Sequence, residues 1–438
     1  MRKRFALPVI ALLALVAALA PAPAQATTAN VAADWDTAAV AAVRSAHTMD
    51  GVAPGGTPRT LYQAEGLLYM AYVQAAVYDA TMKISHRYPL YHHFRAPAGN
   101  ASLDAAVIAA YYNTLVAYLG DPGGVLAAKY ATDLGGLPKN AKTARGIAVG
   151  EAASADIVRL RAGDGRNALV SDACPTETTP SAYQCTPSSI QTEQTPWLAN
   201  VRPFMLESGS QFRAPAPPAL DSPQYIADFN ETRSLGAVNS SVRTASQTAI
   251  ALFWNANAIN QVNQTLRDAS TQYGMDLVDT VRLLAAGTMV ATDSGITCWD
   301  SKYFWLRWRP VTAIRADGIT ADTTWTPLLA TPNHPEYPSA HGCLTSSIGD
   351  VLATLLGTTS FNITIPGAQG GATTLTTSQT FATESDLDSQ LADARVWIGF
   401  HFRTSTIAGE TIGHSVADRT LHRFFRPADD EHDDEAGD

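Results

Sequence analysis

The sequence predicts a mainly α-helical protein, a helical bundle with long loops and one small β-hairpin. Long stretches rich in Ala, Leu, Met and Tyr carry few breakers and are flanked by Gly or Pro. Between them lies Gly163–Gln224, dense in Pro, Ser, Thr and Gly and without helical periodicity. There is no internal repeat, and strand-like alternation shows in one short Thr- and Gly-rich segment.

Taken in order, residues 1–26 read as a signal peptide. Arg2, Lys3 and Arg4 precede an apolar run, Phe5–Ala20, and the segment ends in Ala24-Gln25-Ala26, a small-x-small cleavage pattern. The competing reading is an uncleaved anchor, but the run is short for a span and Pro21 and Pro23 follow it. The expected location is secreted or periplasmic. Residues 27–162 form an N-terminal helical part with helices expected over Leu61–Lys83, Ala101–Leu119 and Ala141–Arg161. Residues 163–224 form an irregular crossing loop, and 225–426 a C-terminal helical part. There the helical pattern covers Ile226–Leu306 with breaks, Ser339–Leu356, Asp386–Trp397 and Phe402–Phe425, with a hairpin at Phe361–Ile365 and Thr373–Thr380. Residues 427–438 carry seven acidic residues and no Lys or Arg, the composition of a disordered tail.

Composition narrows the function. The 438 residues hold 30 Lys+Arg against 40 Asp+Glu, a formal charge of −10, which argues against a nucleic-acid binder. No stretch after the leader has the unbroken apolar length of a membrane span. In an exported chain four cysteines suggest two disulfides, with Cys174–Cys185 and Cys298–Cys343 favoured among the three pairings. A zinc site has less support, because no two cysteines have CxxC spacing.

Three segments carry candidate chemistry. Residues 301–316 contain Lys302, Arg307, Arg309 and Arg315 and no acid. In a helix Lys302 and Arg309 would share a face two turns apart, a clamp for an oxyanion or, more blandly, a snorkelling basic face. In His334-Pro335-Glu336-Tyr337-Pro338-Ser339-Ala340-His341, Ser339 opens a helix. It is either an N-cap or, with the adjacent N–H, an anion ligand beside a general acid/base His341. In Ala394-Arg395-Val396-Trp397-Ile398-Gly399-Phe400-His401, Arg395 and His401 converge only if the helix breaks, and Gly399 offers the break.

Together, Lys-x6-Arg-Pro, Pro-Ser-Ala-His and Arg-x5-His resemble the motifs of the vanadium-dependent haloperoxidase and type 2 phosphatidic-acid phosphatase superfamily. The resemblance covers Trp299–Phe402, with Ala340 and Ala394 standing where the family has Gly and Ser. It implies that Lys302, Arg309 and Arg395 hold a tetrahedral oxyanion, with Ser339 and the Ala340 N–H adding hydrogen bonds. His401 would be the axial vanadium ligand, or the phosphatase nucleophile, and His341 the acid/base. It places Trp299 and His334 in a halide pocket, and a histidine at the latter position is the bromoperoxidase-like choice. The N-terminal helices, with Tyr69-Met70-Ala71-Tyr72, look like those of secreted bacterial haloperoxidase-like proteins. The implied cofactor is vanadate, and the implied partners are hydrogen peroxide, a halide and a small organic acceptor. The alternatives are a secreted acid phosphatase, which takes a phosphomonoester and needs no cofactor, and a non-catalytic helical anion binder. The oligomeric state stays open.

Overall fold

A computed structural model of the chain describes residues 30–427 except 49–58, 167, 169, 172–173, 188–192, 317–320, 358–361, 371 and 373. The signal peptide, and all of the acidic tail but Pro427, lie outside these residues. Thirteen α-helices appear among the described residues. The first five are α1 (Val31–Ser45), α2 (Gln63–Ser85), α3 (Leu103–Leu119), α4 (Val125–Gly135) and α5 (Ala141–Leu160). After the crossing loop come α6 (Pro223–Leu235), α7 (Ala245–Phe253), α8 (Ala258–Gln272), α9 (Leu277–Trp305) and α10 (Pro310–Ala316). The last three are α11 (Ala340–Leu355), α12 (Glu384–Trp397) and α13 (Arg403–Leu421). The two short antiparallel pairs are β1 (His47–Thr48) with β2 (Arg59–Thr60), and β3 (Ile363–Gly367) with β4 (Thr377–Phe381). The mainly α expectation holds, and the hairpin sits slightly later than expected, with Phe361 and Thr373 outside the described residues. No helix among those residues is long and apolar enough to cross a membrane.

The helices begin where side chains can satisfy their free N–H groups. Ser102 Oγ accepts from the Ala105 N–H, Asp276 accepts from Asp279, and Thr244 with Gln247 forms a reciprocal capping box. Two helices are buried almost all round, α2 from Glu65 to Met82 and most of α9, so they form the axis of the bundle. They pack on each other, α2 also against α3 and α5, and α9 also against α8, α11 and α13.

The described residues of the crossing loop hold one 3-10 turn, at Pro196–Asn200, and buried acids tie them down. Asp293 of α9 accepts from the N–H groups of Phe204 and Met205, both at 2.7 Å, and burial pushes its carboxyl up to about 6. Asp164 accepts from Tyr72 Oη at 2.7 Å and from Arg161 Nε at 2.9 Å. These bonds hold residues 193–206 against the bundle, where they become one wall of the site.

The contact between α11 and α13 is closer than side chains allow. A Cβ at Gly409 would stand 2.4 Å from the Ser339 carbonyl oxygen, and one at Gly413 would stand 2.6 Å from that of Cys343. The Ser339 N–H donates to the Ser405 carbonyl at 2.9 Å across the same seam. Gly409→Ala therefore has to push the helices apart, at a cost of roughly 1–3 kcal/mol. Chemical denaturation of the variant should show that loss together with weaker anion binding. A variant of wild-type stability would contradict the close packing.

Of the two expected disulfides, one is present. Cys174 and Cys185 are bonded, closing an 11-residue separation in the crossing loop. Cys298 and Cys343 are free thiols, which corrects the second pairing. They face each other across the α9–α11 seam, both fully buried, and Cys298 Sγ leans on the Pro338 carbonyl at 3.8 Å. Helix packing already closes that crossing and keeps oxidants out.

Candidate active site

The site forms where three chain breaks meet. The first comes after α9. The expectation that Lys302 and Arg309 share one helix face is corrected here, because α9 ends at Trp305 and Leu306 turns left-handed at φ 45°. Arg309 lies in the extended link before α10, whose first residue is Pro310. Proline disfavours the helical conformation in the residue before it, so the Arg-Pro pair itself ends the helix. Both cations still reach one place, and each is completely buried.

Lys302 Nζ donates to the carbonyls of Pro335 at 2.9 Å and Glu336 at 3.1 Å, and also to that of Pro338. It therefore folds the 335–338 loop around itself. Arg309 Nε donates to the His334 carbonyl at 2.8 Å, and Nη1 to the Phe400 carbonyl at 2.9 Å. Nη1 also donates to His401 Nε2 at 3.1 Å, and Nη2 reaches the His334 ring. Burial pushes Lys302 down to about 8 and Arg309 down to about 10.

The second break leads into α11. Ser339 is its N-cap residue by backbone geometry, yet its hydroxyl caps nothing and has no partner among the described residues. Its oxygen stays free at the positive end of a 16-residue helix, with the Ala340 N–H beside it. His341, in the first turn, likewise has Nε2 buried without a partner.

The third break separates α12 from α13, and Gly399 makes it at φ 82°. A Cβ there would stand 2.7 Å from the Gly236 carbonyl, so the turn is both left-handed and crowded. It swings His401 back beneath Arg395. Arg395 is 2% exposed, its Nη1 donates to the Trp254 carbonyl at 3.2 Å, and its Nε is unpartnered. Burial, then the neighbouring Arg309, pushes Arg395 down to about 9.

Six of the expected residues, Trp299, His334, Ala340, His341, Arg395 and His401, line one cavity of about 190 Å³. Trp299 and His334 face each other with ring centroids 5.1 Å apart. Lys302, Arg309 and Ser339 stand directly behind that lining. Cys174 and Cys185 are not in the site but brace it, since Asn333, next to His334, donates to Cys185 Sγ at 3.1 Å and accepts from the Thr186 N–H at 2.9 Å.

Sequence reasoning missed Glu336. Its Oε1 lies 3.0 Å from His401 Nδ1 and accepts from the Phe402 N–H at 3.0 Å, with 3% of the side chain exposed. A carboxylate there accepts a hydrogen bond from Nδ1–H and leaves Nε2 as the acceptor, which meets Arg309 Nη1 at 3.1 Å. An acid between two prolines, two residues after the candidate His334, was the available signal. Also unforeseen were Tyr62, Gln63, Gln194 and Thr195, which complete the cavity from the N-terminal part and the crossing loop.

All three site histidines are held neutral. Burial, then the cations (Arg309 first for His334 and His401, Arg395 first for His341), pushes each well below the usual histidine range. The sign follows from the lowered folded value. In acid the unfolded chain binds protons that the folded chain refuses, so stability is full above about pH 6.5 and lost below it. Each histidine contributes a slope of about 1.4 kcal/mol per pH unit on that acid limb. His334→Gln should flatten the limb by one proton's worth in denaturant titrations at stepped pH; an unchanged slope would mean that His334 protonates freely in the fold.

The donor set suits a small, multiply charged oxyanion. Among the described residues, three buried cations gather beside the buried Glu336 carboxylate, and Ser339 Oγ, His341 Nε2 and Arg395 Nε have no hydrogen-bond partner.

Residues 282–430 match the family model described as the VCPO second helical-bundle domain, a span that includes all three motifs. The vanadium chloroperoxidase of Curvularia inaequalis is 30% identical over 133 residues, which cover 24% of this chain and 22% of that protein. The match thus spans under a quarter of that relative's length. Among solved structures, the first bacterial vanadium-dependent iodoperoxidase superimposes with a TM-score of 0.74 at 19% identity, covering 90% of this chain and 96% of that one. A holo-type bacterial vanadium-dependent chloroperoxidase gives 0.67 at 19% identity, covering 83% and 92%. These likenesses establish the helical fold over nearly the whole chain.

Proposed function

From the match of residues 282–430 to the VCPO second helical-bundle domain, we propose that the chain is a vanadate-dependent haloperoxidase. It oxidises a halide, bromide in preference, with hydrogen peroxide, giving hypohalous acid that reacts with a small organic acceptor. The observation that carries this reading is the set of unpartnered polar atoms, Ser339 Oγ, His341 Nε2 and Arg395 Nε, beside three buried cations. Unused buried charges and orphaned donors are costly, so a resident anion accounts for them better than a structural role does.

Vanadate fits this donor set. Lys302, Arg309 and Arg395 would supply the compensating charge, Ser339 Oγ and the Ala340 N–H would donate hydrogen bonds, and His401 Nε2 would be the ligand to the metal. When bound, vanadate supplies a Lewis-acidic centre that activates peroxide without an electron carrier. The chain does the rest. His341 would take up and return a proton at Nε2, and its burial beside Arg395 keeps it unprotonated at neutral pH. Glu336 fixes the His401 tautomer. Trp299 and His334 wall off the halide side from water, and the preference for bromide rests on His334.

A location outside the cytoplasm belongs to the same reading. It is supported by the basic-apolar leader ending in Ala24-Gln25-Ala26 and by the Cys174–Cys185 bond, which suits an oxidising compartment.

The test is reconstitution with orthovanadate followed by bromination with peroxide and bromide, run beside hydrolysis of a nitrophenyl phosphate without vanadate. Bromination lost in His401→Ala supports the proposal. Vanadate-inhibited phosphatase activity without bromination would replace it with the phosphatase reading. A folded protein with neither activity would leave an anion binder.

A further inference from the structure

The cavity holds one orphan that the oxyanion does not explain. Thr195 is 1% exposed, lines the cavity, and its hydroxyl has no partner among the described residues. Its backbone is left-handed, at φ 57° and ψ 46°, where a β-branched residue is under strain. Strain and an unsatisfied donor at one buried residue are two separate costs, and a ligand on the cavity side accounts for both.

The residue is fastened to the halide-side wall. The Gln194 carbonyl faces Trp299 Nε1 at 3.5 Å, and the Gln194 N–H donates to the Asn333 carbonyl at 2.8 Å, one residue before His334. Thr195, the next residue, is thus carried beside that wall. The cavity of about 190 Å³ is below the roughly 300 Å³ at which drug-sized ligand pockets begin, so its occupant beside the oxyanion is small. Apolar Pro332 and Leu344 complete this side, while Arg395 and Arg309 make its floor electropositive. A hydroxyl donor beside apolar side chains and above an electropositive floor suits a small anion that only accepts hydrogen bonds.

Building on the haloperoxidase reading, we propose that Thr195 is a halide-binding residue whose Oγ–H donates to the halide on the cavity side of the Trp299–His334 wall. The hydroxyl fixes the anion's position and helps set which halide is taken.

The test compares the full-length protein with Thr195→Val, which keeps the β-branch, Thr195→Ser, which keeps the hydroxyl, and Thr195→Ala as a second hydroxyl-free variant. Bromide binding is read from bromide-ion NMR linewidths with and without vanadate, and turnover from bromide KM and kcat. Loss of one hydrogen bond should raise bromide KM and weaken the line broadening roughly five- to tenfold in Val and Ala. Vanadate affinity should stay unchanged, and Ser should behave as wild type. Unchanged bromide binding in both hydroxyl-free variants would overturn the assignment, as would a loss in Ser equal to that in Val, which would make shape or strain the cause. A wild-type protein that neither broadens the bromide line nor brominates overturns the assignment together with the haloperoxidase reading. A wild type that brominates while Val and Ala match it overturns the assignment alone.

Discussion

Arg309→Ala should lower vanadate affinity about a hundredfold or more and remove the rise in Tm that vanadate gives the wild-type protein. Arg309 is fully buried and joins all three chain breaks, reaching the His334 carbonyl, the Phe400 carbonyl and His401 Nε2. A charge-assisted hydrogen bond to an oxyanion is worth roughly 1.5–3 kcal/mol, and the guanidinium adds a fixed positive charge at the same place. The apo protein should be less affected. Losing bonds to two buried carbonyls costs stability, while relieving repulsion with Arg395 returns part of it. Arg309→Lys keeps the charge without the fork and should recover little of the affinity. Thermal unfolding with and without orthovanadate, beside the bromination rate, measures both effects. An Arg309→Ala protein with an undiminished vanadate shift would remove Arg309 from the anion site.

Glu336→Gln should weaken vanadate binding by about 10- to 100-fold with little change in fold. The carboxylate sits 3.0 Å from His401 Nδ1, and polar partners behind a metal-binding histidine typically matter to that extent. Glutamine can still accept the Nδ1 proton through its carbonyl but no longer adds negative charge behind the ring, so Nε2 becomes a poorer donor. It also leaves Lys302 and Arg309 without the one buried acid that offsets them. Isothermal titration with vanadate, checked by circular dichroism, separates these effects from misfolding. Wild-type affinity in a folded Glu336→Gln protein would reduce Glu336 to a loop anchor for the Phe402 N–H.

The fold class was legible because α2 and α9 are long, apolar and free of breakers, and because Pro and Gly mark the crossing loop. The first helix was not, since Val31–Ser45 follows the leader without a composition change, and α4 is short and half exposed. Lys302, Ser339, Arg395 and His401 were legible because each lies in a short motif whose spacing is tied to a chain break. Gly399 gave one of those breaks in advance, whereas Arg309 was placed on a helix that Pro310 in fact ends. Glu336 and Thr195 escaped for a different reason. Their roles depend on contacts with residues far along the chain, His401 in one case and Trp299 and Asn333 in the other, and no local pattern encodes such a meeting. The Cys298–Cys343 pairing failed similarly, because arithmetic on four cysteines does not know that packing has brought two of them together as thiols.

The cavity's lining comes from two separate stretches of sequence. Every residue assigned to hold the anion lies between Lys302 and His401, whereas Tyr62, Gln63, Gln194, Thr195 and Ala258 come from the first part of the chain. The grip and the gateway can therefore diverge independently. Descendants of one ancestral scaffold could exchange what they admit by drift in the early helices and crossing loop while the oxyanion grip stays untouched. A chimera joining the first 270 or so residues of one relative to the remainder of another should accordingly inherit the gateway residues from the former, and the Trp299–His334 wall together with its oxyanion affinity from the latter.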